Sequence, residues 1–144
     1  MKYNFQNYQN KRILLVEDNH FQRDTMEKLL EKLGFKVDVA VNGQKAIFMY
    51  KSHSLKYEFY DIIFMDIFIP EKNGLEVTKE IRQMEKENPQ FLKTFICGMS
   101  SDERNAVIPK CLFFDLNTFI QKPISFHRLK EFLYEFFQKK RKSI

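Results

Sequence analysis

Four short apolar runs, at residues 13–16, 62–65, 95–99 and 118–120, recur along the chain, and the stretches between them repeat apolar side chains at helical spacing. This alternation constrains the fold more than any other feature. A continuous run of three to five apolar residues reads as a strand buried on both faces, the environment of a parallel sheet. Residues 36–41 differ, because Val37, Val39 and Val41 alternate with other residues, as expected of an edge strand with one wetter face. Between the runs, Met26, Leu29, Leu30 and Leu33 form a stripe over residues 21–33 that closes at Gly34, a residue suited to the left-handed cap. Ala46, Ile47 and Tyr50 mark a helix over 44–56, and Val77, Ile81 and Met84 mark one over 75–87 that stops at Asn88 and Pro89. Leu129, Phe132, Leu133, Phe136 and Phe137 follow Ser125, a good N-cap. A fourth helix should begin near Ser101 or Asp102. Pro109 lacks an amide donor and collides with the preceding turn, so that helix is expected to be short or kinked. Strands alternating with helices require right-handed crossovers, which place helices on both faces of the sheet. The predicted fold is α/β, a doubly wound five-stranded parallel sheet over residues 12–140, with a polar, aromatic arm at 1–11 and a basic tail at 141–144.

A chain of 144 residues buries about two-thirds of its unfolded surface and needs neither disulfide nor structural metal to hold a core. Cys97 and Cys111 lie in apolar stretches without C-x-x-C spacing, which argues against a disulfide framework or a zinc site and for a reducing cytoplasm. No apolar run approaches the roughly 18 residues of a membrane span, and the first eleven residues do not read as a signal peptide, so neither membrane insertion nor export is expected. Twenty-four basic against nineteen acidic residues leave +5, much of it in Lys139, Lys140, Arg141 and Lys142. Without a spread basic face, that cluster reads as a solvated helix end and not as a nucleic-acid site.

In open α/β sheets, ligands bind beyond the carboxyl ends of the strands. The first strand delivers Glu17 and Asp18 there, the third Asp66, the fourth Ser100, and the fifth is followed by Lys122 and Pro123. Three clustered carboxylates repel one another and call for compensating positive charge. Oxygen-only ligands suit Mg²⁺ or Mn²⁺ and not zinc, with Asp18 and Asp66 as direct ligands and Glu17 direct or through water. A fixed ammonium and a hydroxyl beside them fit a phosphoryl group. Asp66 is then the nucleophile that forms an acyl phosphate, with Lys122 and the cation neutralising the phosphoryl oxygens.

Val16-Glu17-Asp18-Asn19, Met65-Asp66-Ile67-Phe68-Ile69-Pro70 followed by Gly74, Met99-Ser100-Ser101 and Phe119-Ile120-Gln121-Lys122-Pro123 together resemble the receiver domains of two-component response regulators. The likeness covers nearly the whole chain, and the Glu-Asp-Asn form of the acidic pair is similar to receivers attached to hybrid histidine kinases. It implies the flavodoxin-like strand order 2-1-3-4-5. It also implies Asp66 as phosphoacceptor, Glu17 and Asp18 as the Mg²⁺ pair, the Phe68 backbone carbonyl as a further metal ligand, and Ser100 and Lys122 as phosphoryl binders. Ser100 and Phe119 become switch residues that alter the face built from the fourth helix, fifth strand and fifth helix. The implied phosphoryl donor is a phosphohistidine on a histidine kinase or a histidine phosphotransfer protein. Phe68 and Asp102 occupy positions that border the hydrolytic water's path in similar proteins, so a bulky Phe68 is expected to slow loss of the phosphoryl group.

Asn73 and Phe113-Phe114 depart from the usual receiver pattern without touching the predicted chemistry. Together with Pro109 and the Phe-rich last helix they alter the output face, so a partner inferred from a typical receiver does not carry over. His20, His53 and His127 read as isolated surface histidines, and Cys97 as an inert core thiol. Whether the arm bearing Tyr3, Phe5 and Tyr8 is disordered or docks on a partner is open. The expected role is a signalling module with only self-phosphorylation and autodephosphorylation activity. A phosphorylation-independent receiver-like binding module is the main alternative. An aspartyl phosphohydrolase would want a carboxylate where Phe68 stands, and a flavin carrier would not present Glu17 and Asp18 to a flavin phosphate.

Overall fold

The computed structural model describes residues 3–68 and 73–142. Five strands and five α-helices alternate: β1 (Arg12–Val16), α1 (His20–Lys32), β2 (Lys36–Ala40), α2 (Gly43–Leu55), β3 (Ile62–Asp66), α3 (Gly74–Glu87), β4 (Phe95–Ser100), α4 (Arg104–Phe114), β5 (Thr118–Gln121) and α5 (Phe126–Lys142). All strand pairs are parallel, in the order β2-β1-β3-β4-β5. The doubly wound fold and its strand order are as expected, with half-buried β2 on one edge.

Successive strand side chains face opposite sides of a sheet. One face of this sheet supplies Leu14, Val16, Ile63, Met65 and Ile96, which meet Ala46, Tyr50, Val77, Ile81 and Val107 from α2, α3 and α4. The other face supplies Ile13, Leu15, Ile62, Phe64, Cys97 and Met99, which meet Met26, Leu30, Leu129, Leu133 and Phe137 from α1 and α5. Every residue of β3 is buried, as its uninterrupted apolar sequence requires. Among the described residues, no helix is long and apolar enough to cross a membrane.

The helix ends follow side-chain chemistry. Asn19, Asn42 and Asn73 cap α1, α2 and α3 by accepting hydrogen bonds from the amides of Gln22, Lys45 and Glu76, each at 2.9 Å. Ser125 Oγ accepts from the Arg128 amide at 3.1 Å, as predicted for the start of α5. α4 begins at Arg104, later than the expected Ser101 or Asp102, and at 11 residues is the shortest of these five helices, as expected, although it continues through Pro109. Val107 and Cys111 bury on either side of the proline, and α4 ends in a left-handed Asp115 whose carbonyl accepts from Arg82 Nε at 3.0 Å. Packing and this anchored end offset the amide that Pro109 lacks.

The arm docks within the chain itself. Tyr3, Phe5 and Tyr8 are buried: Tyr8 stacks on Phe137 at 5.1 Å between ring centroids, and Phe5 meets Phe35 edge-on at 5.9 Å. His53 departs from the surface reading. Its ring lies 4.9 Å from that of Tyr60, and its Nε2 is 3.2 Å from Asp38. α5 runs on through Lys142, so the basic cluster continues the helix. Met1, Lys2, residues 69–72, Ser143 and Ile144 lie outside the described residues, including Ile69 and Pro70 of the motif after Asp66.

Candidate functional site

Parallel strands end together, and four of the five ends converge on one cluster of charge. β1 runs into Glu17, which is buried, and Asp18, which is exposed. Asn19 caps α1 while its own amide donates to Glu17 Oε2 at 3.3 Å, so the helix cap also orients this carboxylate. Arg23, one turn into α1, reaches back with Nη1 to the carbonyls of Glu17 and Asp18, both at 3.1 Å. The loop between β1 and α1 is thereby held from both ends.

β3 delivers Asp66, buried to 4% exposure, whose Oδ1 accepts from the Phe68 amide at 3.1 Å. Gly74 explains why a glycine follows this loop. A Cβ there would overlap the Asp66 carbonyl oxygen, and the Gly74 amide donates to Ile67 O at 2.9 Å, so α3 starts directly against the end of β3. β4 lies beside β3 with Met99 opposite Asp66, which places Ser100 one residue beyond it. The buried Ser100 hydroxyl accepts from the Asp102 amide at 3.0 Å, and the Ser100 carbonyl accepts from the Lys122 amide at 2.7 Å. The Lys122–Pro123 bond is cis.

The Lys122 side chain turns inward across β1 and β3. Its ammonium donates to Glu17 Oε1 at 2.6 Å, Gln22 Oε1 at 3.0 Å and Asp66 Oδ2 at 3.1 Å. Glu17, Asp18 and Asp66 each offer a carboxylate oxygen, all within 4.8 Å of one another. Burial and the neighbouring Glu17 push the Asp66 carboxyl up to about 7, against the pull of Lys122. Burial also opposes charge on Glu17, yet hydrogen bonds with Asp66 and Lys122 hold its carboxyl below the ordinary range. The two carboxylates conversely raise Lys122 despite its own burial. This pocket is therefore short of positive charge. One ammonium serves two buried carboxylates, and a third carboxylate stands at the mouth.

Of the residues singled out from sequence, Glu17, Asp18, Asp66 and Lys122 come together, and Ser100 sits at the same rim with its hydroxyl turned to Asp102. Phe119 lies apart from the carboxylates, partly buried against the α2–α4 side of the sheet, with the Arg104 guanidinium 5.9 Å from its ring centre. The Phe68 ring is 56% exposed, and Lys110 Nζ of α4 lies 5.6 Å from its centre. Three neighbours of the site escaped the sequence reading: Gln22, Arg23 and Lys110. The Asn19-x-x-Gln22 spacing is that of a capping box, which would aim Gln22 back at the Asn19 amide; that amide instead donates to Glu17, and Gln22 accepts from Lys122. Arg23 and Lys110 carry no signal of their own. A groove of about 210 Å³ opens beside Glu17 and Lys122, walled by Phe21, Met26, Leu29, Ile124 and Leu129.

This arrangement can be set against known proteins. Residues 13–134 match the family model described as response regulator receiver domain. The chain is 34% identical over 122 residues to hybrid signal transduction histidine kinase K of Dictyostelium discoideum, covering 83% of this chain and 10% of that protein. It thus spans a small part of the length of such curated relatives. Among solved structures, it is similar to the receiver domain of the histidine kinase CKI1 from Arabidopsis thaliana complexed with Mg²⁺, with 27% identity, a TM-score of 0.76, and 87% of this chain and 90% of that chain covered. It is also similar to the Saccharomyces cerevisiae complex of the histidine phosphotransfer signalling protein Ypd1 and the receiver domain of the response regulator Ssk1. There identity is 27%, the TM-score 0.74, and coverage 83% of each chain. With its sheet order, its rim of carboxylates around Lys122 and a family match over most of its length, the chain belongs to the response regulator receiver domains of two-component signalling.

Proposed function

We propose that Asp66 is the phosphoacceptor of this receiver, taking a phosphoryl group from a phosphohistidine on a histidine kinase or a histidine phosphotransfer protein. The observation that carries this reading is the Lys122 ammonium held between Glu17 and Asp66, with Asp18 beside them. An Asp66 carboxylate oxygen attacks phosphorus, the P–N bond of the phosphohistidine breaks, and its electron pair stays on the imidazole nitrogen. The product is an acyl phosphate. Lys122 offsets charge on the phosphoryl oxygens, and the Asp66 backbone is fixed by the close approach of Gly74.

The donor set fits a hard divalent cation. Three carboxylates with oxygen-only chemistry suit Mg²⁺, with Mn²⁺ as substitute, and Glu17, Asp18, Asp66 and the Phe68 carbonyl would hold it. When bound, the cation supplies the positive charge this pocket lacks and neutralises phosphoryl oxygens. The apolar groove beside Glu17 and Lys122, with the exposed Phe21 at its wall, offers the donor protein a surface next to the pocket.

Ser100 and Phe119 carry the response. The Ser100 hydroxyl accepts from the Asp102 amide and keeps its own O–H to donate to a phosphoryl oxygen, so phosphoryl binding pulls directly on the turn that starts α4. Phe119 turning inward then changes the face of α4, β5 and α5, where an output partner binds. The domain signals and converts no metabolite; a phosphohydrolase would need an acid or base where Phe68 stands. A reducing cytoplasm suits the two buried free thiols.

The test is transfer from a phosphorylated histidine phosphotransfer protein. Label should move to the wild-type chain with Mg²⁺ and not to Asp66→Asn or in excess chelator. Transfer to Asp66→Asn at the wild-type rate would refute the assignment.

A further inference from the structure

An ammonium has three donors, and all three of Lys122's are used: Glu17, Asp66 and Gln22. Two of these acceptors are carboxylates that a divalent cation and a phosphoryl group would engage. The third is a neutral amide oxygen, and it belongs to none of the three carboxylates that cluster for a metal. Its place is fixed independently of the lysine. The Gln22 amide donates to the Asn19 cap at 2.9 Å, and the next residue, Arg23, ties the same turn of α1 to the Glu17 and Asp18 carbonyls.

We propose that Gln22 is a positioning residue for Lys122: its side-chain oxygen keeps the ammonium at the mouth of the pocket when Glu17 and Asp66 are otherwise engaged. Without that hold, a lysine released by the carboxylates would swing into solvent, since its side chain has many rotamers and its only remaining partner would be water. With it, the ammonium has one donor anchored and two free to meet the phosphoryl oxygens. This rests on the phosphoacceptor reading of Asp66, and it adds a residue of α1 to a site otherwise built from strand ends.

Two measurements separate the proposal from that reading. In the first, ¹⁵N-labelled protein saturated with Mg²⁺ is observed for the side-chain ammonium resonance of Lys122, assigned by its loss in Lys122→Arg. The resonance should persist in wild type and broaden away in Gln22→Leu, which loses the acceptor, and Gln22→Glu should retain it. In the second, phosphorylation by acetyl phosphate is followed against donor concentration. Gln22→Leu should slow the maximal rate roughly threefold to tenfold, the range expected for one hydrogen bond of ordinary net strength. Its Mg²⁺ affinity by calorimetry and its melting temperature should match wild type, and Gln22→Glu should recover the rate. A role confined to supporting α1 would lower affinity and melting temperature along with the rate. A Lys122 resonance equally sharp in wild type and Gln22→Leu, or equal rates in the two, overturns the proposal. A Gln22-dependent resonance in a wild type that never takes up phosphate leaves the positioning intact and overturns the phosphoacceptor reading instead.

Discussion

At the scale of single residues, the buried carboxylates set a pH dependence that can be measured without any phosphodonor. Asp66 is raised to about 7 by burial and by Glu17, so the folded, metal-free chain holds a proton that the unfolded chain releases. Stability from this group is complete below the ordinary carboxylate range and is lost as pH rises through about 7. Glu17 is lowered and works the other way only in more acidic solution. In chelator, Asp66→Asn should therefore melt higher than wild type by a margin that grows from pH 5.5 to about pH 8, the interval that spans the raised carboxyl. Added Mg²⁺ should narrow that margin. A margin independent of pH would contradict the account. Phe68 supports a second residue-level expectation: its ring stands at the site with Lys110 over it, and Phe68→Asn should shorten the acyl phosphate's lifetime. Decay measured by intact mass that is equal or slower in the variant would defeat this. The charged site residues were legible because each lies within two residues of the end of an apolar run. Gln22 and Arg23 were not, because their roles depend on which way the first turn of α1 faces.

At the scale of elements, the connection between α3 and α4 is held by a buried charge network. Arg82 Nη1 donates to Glu85 at 2.9 Å and to Thr94 O at 2.8 Å, its Nη2 to Asn117 Oδ1 at 2.8 Å, and its Nε to Asp115 O at 3.0 Å. Glu85 in turn accepts from Tyr50 Oη and the Thr94 amide, joining α2 and the approach to β4. Removing one partner of such a pair strands the other charge. Arg82→Met should lower unfolding free energy by about 3–5 kcal/mol, measured by urea denaturation. Replacing Glu85 by Met as well should restore much of the loss, and a single variant as stable as wild type would show the network to be dispensable. In sequence, Arg82 and Glu85 look like an ordinary surface pair three residues apart on a helix, so nothing local announces their burial. The same blindness explains α4. Pro109 argues locally for a short or kinked helix, while the anchored Asp115 end and the buried Val107 and Cys111, which carry it past the proline, are tertiary facts.

At the scale of the whole molecule, periodicity yielded the layered α/β architecture, because four strands carry continuous apolar runs, the edge strand β2 alternates, and the stretches between them repeat apolar side chains at helical spacing. The fate of the N-terminal arm was not readable, since Tyr3, Phe5 and Tyr8 find their partners on β2's approach and on α5, far away in sequence. That docking predicts a difference between two phenylalanines. Phe5→Ala, at 6% exposure, should destabilise by about 3 kcal/mol, whereas Phe21→Ala, at 78%, should stay within about 0.5 kcal/mol. Equal stabilities in urea would mean that the arm is not part of the core. The fold as a whole serves to bring acidic oxygens from β1 and β3 to one lysine delivered by β5. The most direct test of that claim is the intact mass of the chain after incubation with acetyl phosphate and Mg²⁺. The account predicts one added phosphoryl group on wild type, and none on Asp66→Asn or in chelator. An unchanged mass for wild type, or the same gain in Asp66→Asn, would contradict it.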